Sequence, residues 1–485
     1  MKYLLTLLLG ILTGTITAQM PPQPRLSDYA GAYADEPGRT LEIVAGDELF
    51  AVQDEAKYRL RPSGVDEFAT AFGQKLSFRR DANGKVTGYE QSGKFHSRVS
   101  LTVTPDSAAL ARPRPPGQDS PQAYRYQAPS DMHDGIAAGD IARSDLGAAT
   151  ANAIVRGVLD GTYKDVHSVL LNQHGLLVME EYGYGIGRPH QLRSATKSVV
   201  SALAGIAVDR GALSGVEERV LPRMSYTSYA NPGPRKSAMT LGNFLSMSSG
   251  LDCNDHSSSS SGRETVIDDA PDWVKATLDL PMIANPGSQG YYCSGGIAVV
   301  GRMTENAVHM QLPEFAQANL FGPLGISRAD WIWNHNLTNA NKEYSQIHLR
   351  SRDMLKLGML FANGGRWQGR QVVSSSWVRA SLAEQSRVDN TGYGYFWWRP
   401  WLNVETPNGP QRVNMSAAQG NGGQKIYLLP QYDLVAVFTA DDYNSDGAPP
   451  NKIMAKIVLP ALISARSRNT ASSPPKKAIR SVGPA

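Results

Sequence analysis

The apolar positions along the chain change their spacing several times. Between about residues 28 and 99 they form short runs: Leu41 to Val44, Lys57 to Leu60, Leu76 to Arg80 and Val86 to Tyr89. Asp81-Ala82-Asn83-Gly84 separates the last two and predicts a hairpin, because Asn-Gly accepts positive backbone φ. This pattern predicts a small all-β domain over 24–103. The following stretch, 104–139, is rich in Pro, Ser, Gln and Arg and reads as a linker. From 140 to 465 two types of pattern mix. A hairpin opens this region, Val166 to Leu171 and Leu176 to Glu181 around a turn at Asn172 to Gly175. Another closes it, Gln424 to Leu429 and Leu434 to Thr439 around Pro430 to Asp433. Helical spacing lies between: Val199, Val200, Leu203, Ile206 and Ala207 mark Ser194 to Arg210, with Gly211 as a stop, and Ser351 to Phe361 forms another segment. Strands at both ends with helices between predict an α+β domain, its antiparallel sheet assembled from both ends of the segment and flanked by helices, with a helical subdomain inserted.

The two termini add expectations of a different kind. Lys2 precedes an apolar run, Leu4 to Leu12, and small or polar residues follow to Ala18. This predicts a signal peptide over 1–18, with cleavage near Ala18–Gln19 and export to the periplasm or medium. The run is too short to span a bilayer, and no later segment is apolar enough, so no membrane insertion is expected after cleavage. Residues 466–485 are polar and contain Pro, which predicts a disordered tail.

Composition narrows the classes. The 485 residues are 41% hydrophobic and 19% charged, ordinary for a globular protein and enough for two or three domains. The formal net charge of +4 is small and partly carried by Lys476, Lys477 and Arg480. No basic stripe interleaves with aromatics, so no nucleic-acid partner is expected. The two cysteines, Cys253 and Cys293, suit a single disulfide in an oxidising compartment, with two buried free thiols as the other reading. There is no Gly-x-Ser-x-Gly, His-Glu-x-x-His or Cys-x-x-Cys. Neither an α/β-hydrolase elbow nor a zinc site is supported, and no cofactor or metal is expected.

One short segment carries a chemical suggestion. Ser194-Ala195-Thr196-Lys197 stands at the start of the predicted helix. Residues three apart share a helix face, so the Lys197 amine can reach the Ser194 hydroxyl. A serine is a weak nucleophile until a base takes its proton, and a desolvated, partly neutral lysine can serve. Unpaired N–H groups at the helix start suit an oxyanion. The bare Ser-x-x-Lys spacing is weak, since Ser473-Pro474-Pro475-Lys476 repeats it in the tail.

Further segments, in order, make the signal specific. Leu192 to Ser198, Leu245-Ser246-Met247-Ser248-Ser249-Gly250-Leu251, Asn285-Pro286-Gly287 leading to Tyr291-Tyr292-Cys293-Ser294, Arg352-Asp353-Met354 through Gly364-Gly365-Arg366-Trp367, and Tyr393-Gly394-Tyr395-Phe396-Trp397-Trp398 all match one family. The chain from about Val166 to Leu462 resembles the serine β-lactamase-like, penicillin-recognising superfamily, in the branch of class C β-lactamases, esterases and 6-aminohexanoate-oligomer hydrolases. The resemblance implies a β-lactamase/transpeptidase-like domain and a covalent serine mechanism. Ser194 is then the nucleophile, and Lys197 and Tyr292 share the proton transfers without a fixed division between them. Ser294 is a hydrogen-bonding member of the site. The backbone N–H groups of Ser194 and Asn421 form the oxyanion hole.

The family's Lys/His-Thr-Gly triplet falls here on Ala418-Gln419-Gly420, with only the glycine kept. This departure puts β-lactamase and peptidoglycan-peptidase activity in doubt and favours a small-molecule amide or ester as substrate. Gly420 is a candidate substrate-side residue. Trp397, Trp398 and Trp401 are either core packing or a cleft wall, with Trp397 carried as a candidate contact. His256 and Ser257 to Ser261 form a polar loop that could gate the site. The first domain, with Tyr29-Ala30-Gly31-Ala32-Tyr33 and Leu76-Ser77-Phe78 ahead of Gly84-Lys85-Val86-Thr87-Gly88, resembles a lipocalin-like accessory domain. Three other readings stand beside the amide or ester hydrolase: a β-lactamase or DD-peptidase, a non-catalytic envelope-binding protein of the same fold, and a ligand-binding protein led by the first domain. Oligomeric state is left open.

Overall fold

A computed structural model describes residues 25–34, 40–46, 48–53, 56–70, 74–103, 120–163, 165–183, 189–335, 344–407, 409–442 and 449–472. The proposed signal segment, 1–18, and residues 104–119 and 473–485 lie outside them.

Eight strands close into an antiparallel barrel in simple chain order. They are β1 (Gly31–Ala34), β2 (Thr40–Ala45), β3 (Leu49–Gln53), β4 (Ala56–Gly64), β5 (Glu67–Ala69), β6 (Lys75–Arg80), β7 (Val86–Gln91) and β8 (Lys94–Ser100). Pairing of β1 with β8 removes the free edges that an open sheet would expose. Its interior is filled by Tyr29, Tyr33, Ile43, Leu49, Tyr58, Leu60, Phe68, Leu76, Phe78, Val86 and Tyr89. Tyr29, Phe68 and Phe78 meet edge-on or tilted, at centroid separations of 4.7–5.7 Å.

The second domain is built on an eight-stranded antiparallel sheet, ordered β10-β9-β23-β22-β21-β18-β17-β16. Its middle joins the first hairpin, β9 (Val166–Gln173) and β10 (Leu176–Tyr182), to the last, β22 (Gln424–Leu429) and β23 (Leu434–Ala440). The sheet is thus assembled from both ends of the domain, as the hydrophobic pattern predicts. His174 and Gly175 both have positive φ, the two-residue turn whose twist suits a hairpin. The remaining members are β16 (Ser386–Val388), β17 (Thr391–Tyr393), β18 (Trp398–Arg399) and β21 (Ser416–Gly420). Small ladders accompany it: β11 (His190–Gln191) with β12 (Ile332–His335) and β13 (Tyr344–Leu349), β14 (Arg366–Trp367) with β15 (Arg370–Gln371), and β19 (Trp401–Val404) with β20 (Gln411–Asn414). One core lies between the sheet and the helices Thr196–Asp209, Gly295–Val308 and Ser351–Ala362. A second, on the other face, holds the helix Ala148–Leu159 and the start of the helix Leu459–Ser472.

Two boundaries differ from expectation. The second part of the expected linker is anchored from Ser120 onward. Tyr124 and Ile136 are buried in the two cores of the second domain, and the Tyr126 hydroxyl donates to Val178 O at 3.0 Å. Proline and serine content signals irregular backbone, but irregular backbone can still pack. At the other end the last helix runs to Ser472, so the expected disorder from 466 does not begin there.

Candidate active site

Strand β11 delivers the chain to a single 3-10 turn, Arg193–Ala195, which runs into the helix Thr196–Asp209. Every residue of that helix from Thr196 to Ala207 is buried. The turn is clasped from two sides. Leu192 N donates to Ile347 O at 2.9 Å, and Ile347 N donates to the Thr196 hydroxyl at 3.2 Å. On the other side β21 ends at Gly420, where an added Cβ would lie 2.1 Å from Leu192 O. Only glycine permits this approach of β21 to the residues just before Ser194. Arg193, immediately before Ser194, has φ of +50°, a left-handed conformation that a side-chain-bearing residue adopts at a cost.

Within this frame the side chains converge. Lys197, only 4% exposed, donates from Nζ to Ser194 Oγ at 3.1 Å and to Ser294 Oγ at 3.2 Å. Its Nζ lies 5.0 Å from the centroid of the Tyr292 ring. Ser194, Lys197, Tyr292 and Ser294 therefore meet in one place. Burial alone would depress the Lys197 ammonium, but Tyr292, Glu264 and Asp255 outweigh it and hold it above the ordinary lysine range.

Tyr292 is itself tightly placed. Its ring stacks with His256, at 5.2 Å and 8°, and with Trp398, at 5.3 Å and 25°. His256 is held from behind by Asp389. The loop with Asp255 and His256 is fixed by the Cys253–Cys293 disulfide, with Cα atoms 5.1 Å apart, and by Asp255 N donating to Tyr292 O at 2.8 Å. The Asp255 carboxylate accepts from Ser294 N at 2.8 Å. Burial pushes this carboxyl above the usual range, although Lys197 opposes the shift.

Outer segments buttress the site. Gly287 N donates to Ser248 O, and Tyr291 N to Met247 O, so the Leu245–Leu251 segment packs on the one that carries Tyr292. Ser198 Oγ donates to Phe396 O at 2.7 Å, tying the lysine-bearing helix to the Gly-Tyr-Gly-Tyr segment.

Two sequence candidates need correction or qualification. Trp397 does not line the cleft. It is fully buried and packs on Phe361 at 4.6 Å; its neighbour Trp398 is the indole that faces Tyr292. Adjacent residues near a strand point to opposite faces, which composition cannot resolve. Around the altered triplet, the nearest cation on the paired strand, Lys425, donates to Gln419 Oε1 at 2.6 Å, and burial pushes its pKa down to about 8. Asp255 was not singled out by sequence; it sits in a polar loop without periodicity, and only Cys253, two residues earlier, hinted that the loop was pinned. Among the described residues no group of three or more His, Cys, Asp or Glu side chains could hold a metal. No described helix is long and apolar enough to cross a membrane.

A sheet sandwiched by helices, with serine, lysine and tyrosine converging at one helix start, defines a class of serine-hydrolase fold. The Beta-lactamase family model matches residues 113–458, and the chain belongs to that family, as a hydrolase of the β-lactamase superfamily. A relative, the 6-aminohexanoate-dimer hydrolase of Paenarthrobacter ureafaciens, is 24% identical over 301 residues, 58% of this chain and 73% of that protein. Solved structures with a similar course include the octameric penicillin-binding protein homologue from Pyrococcus abyssi, 15% identical over 65% of this chain and 77% of that one, with a TM-score of 0.49. A penicillin-binding protein homologue from Caulobacter crescentus is 16% identical over 66% of this chain and 96% of that one, at 0.48.

Proposed function

We propose that the protein is an exported serine hydrolase that cleaves a small amide or ester through an acyl-enzyme on Ser194. The observation that carries this reading is the buried Lys197 ammonium, bonded to both Ser194 Oγ and Ser294 Oγ beneath Tyr292. In this reading Tyr292 takes the serine proton as general base, and the Lys197 ammonium beside it offsets the charge of its deprotonated form. Ser194 Oγ gives its proton to Tyr292 and bonds to the substrate carbonyl carbon. The oxyanion is held by the N–H groups of Ser194 and Asn421. Collapse of this intermediate expels the amine or alcohol, which takes the proton back from Tyr292. Water, activated by the same phenolate, then releases the acid and restores Ser194. Ser294 and Asp255 hold Lys197 in place, and Trp398 walls the cleft beside Tyr292.

The 6-aminohexanoate-dimer hydrolase relative supports an amide substrate, and the reduced triplet Ala418-Gln419-Gly420 argues against recognition of a β-lactam or peptide carboxylate. Export rests on the Lys2, Leu4 to Leu12 and Ala18 pattern, and the Cys253–Cys293 disulfide supports an oxidising compartment. The partner is a small molecule. The test is turnover of p-nitrophenyl esters, a linear 6-aminohexanoate dimer and a chromogenic cephalosporin by wild type and Ser194→Ala. Ester or amide turnover lost in the variant is the expected result. Cephalosporin turnover alone would assign β-lactamase chemistry, and no turnover of any would favour the non-catalytic envelope-binding reading.

A further inference from the structure

The barrel touches the second domain at the nucleophile turn. Tyr58, on β4, has its ring in the barrel interior and is only 6% exposed. Its hydroxyl leaves the barrel and donates to Gln191 Oε1 at 2.5 Å, across 133 residues of sequence. The Arg193 guanidinium lies over the same ring, 5.6 Å from its centroid. The next residue of β4, Arg59, is ion-paired with Asp165 at the start of β9 and with Glu48 of the barrel, at 2.9 Å. One barrel strand therefore grips the residues three and one positions before Ser194, and through Arg59 also bonds the residue that leads into β9.

This contact falls where the turn needs support. Arg193 sits at φ of +50°, and such a conformation persists only when the surroundings over-determine it. Strand β11 is two residues long, and its pairing with β13 holds its backbone alone. The Gln191 and Arg193 side chains are both engaged by Tyr58.

From this geometry we infer that Tyr58 of the barrel is a positioning residue for the nucleophile: it fixes Gln191 and Arg193, and through them the orientation of Ser194. The inference rests on the reading of Ser194 as nucleophile. Tyr58 does not touch the reacting atoms, so its effect falls on the acylation rate and kcat. The barrel is then part of the catalytic frame.

The test uses the full chain and the variants Tyr58→Phe, Tyr58→Ala, Arg193→Gly and the double variant Tyr58→Ala/Arg193→Gly. The readouts are kcat and KM for a p-nitrophenyl ester, the rate of Ser194 labelling by a fluorophosphonate, and the thermal midpoint. A misplacement of about 1 Å costs roughly a hundredfold in rate. Tyr58→Ala is expected to lower kcat and labelling by about ten- to a hundredfold, with KM changed less than threefold. Tyr58→Phe, which keeps the ring under Arg193, is expected to recover most of that loss. In the Arg193→Gly background, where glycine accepts positive φ, Tyr58→Ala is expected to have a smaller effect than in wild type. Should Tyr58→Ala lose its fold, Tyr58→Leu keeps bulk in the barrel core and replaces it. A folded Tyr58→Ala or Tyr58→Leu with wild-type labelling, or one with the same loss in both backgrounds, overturns the inference. A wild type that hydrolyses the ester yet takes no label at Ser194 overturns the nucleophile assignment as well.

Discussion

Replacement of Gly420 by alanine tests the contact that couples the closing sheet to the turn that carries Ser194. An alanine Cβ would stand 2.1 Å from Leu192 O and 3.0 Å from Arg193 Cβ. Real Cβ atoms essentially never approach a heavy atom closer than 3.0 Å, so one backbone must retreat by roughly 1 Å. Neither neighbour is the far end of a flexible side chain. The retreat opens the gap between Ser194 and Asn421, whose N–H groups are the proposed oxyanion donors. Loss of one such donor costs about 10²- to 10³-fold in kcat. Overpacking of this kind costs about 1–3 kcal/mol in stability, which a folded domain survives. Gly420→Ala is therefore expected to stay folded, keep KM within a few-fold and lose about a hundredfold in kcat on a p-nitrophenyl ester. The assay pairs steady-state kinetics with a thermal midpoint. A folded Gly420→Ala enzyme within threefold of wild-type kcat would refute the argument that this close approach sets the oxyanion geometry.

Other consequences follow from the same structure. Removal of the disulfide with Cys253→Ala/Cys293→Ala opens a loop with a sequence separation of 40 residues and is expected to cost about 4 kcal/mol, read by urea denaturation. It also frees the loop with Asp255 and His256, so kcat should fall before the fold is lost, and unchanged kcat would contradict the role given to that loop. At the domain contact, burial, then the neighbouring Asp441, push the Asp165 pKa up to about 7, and Arg59 opposes the shift without cancelling it. The folded state therefore keeps a proton that the unfolded chain loses near 3.8, so this contribution is full below that value and is lost as pH rises from about 4 through 7. Asp165→Asn should gain stability relative to wild type between pH 4.5 and 7.5; a constant difference would remove Asp165 as the source. Trp398→Ala, which takes the indole off Tyr292, should lower kcat/KM by about tenfold, in keeping with a stacking contact of about 1 kcal/mol plus lost cleft wall; Trp398→Phe should restore most of it.

Much of the second domain was legible because its signals are local. The opening hairpin declares itself through alternating apolar runs around His174-Gly175, and the closing one through Pro430 to Asp433. The helix after Ser194 follows from its apolar spacing and Gly211. Half of the barrel was less legible. Strand β1, Gly31–Ala34, is four small or aromatic residues, and β8, Lys94–Ser100, is mostly polar with His96 turned inward. Their pairing closes the barrel, and only tertiary contact establishes it. The family motifs led to Ser194, Lys197, Tyr292 and Ser294, which the fold brings together. The upward pKa shift of Lys197 was not legible, because burial there is outweighed by Tyr292, Glu264 and Asp255, all distant in sequence. The same holds for Tyr58, whose partners at Gln191 and Arg193 are on another domain.

The most direct measurement is intact mass after incubation with a fluorophosphonate and, separately, with a slow p-nitrophenyl ester, for wild type and Ser194→Ala, with the modified peptide located by fragmentation. A single phosphonyl or acyl adduct on Ser194, absent from the variant, is the predicted result. An adduct on another residue, or one that survives Ser194→Ala, would contradict the assignment of Ser194 as the nucleophile.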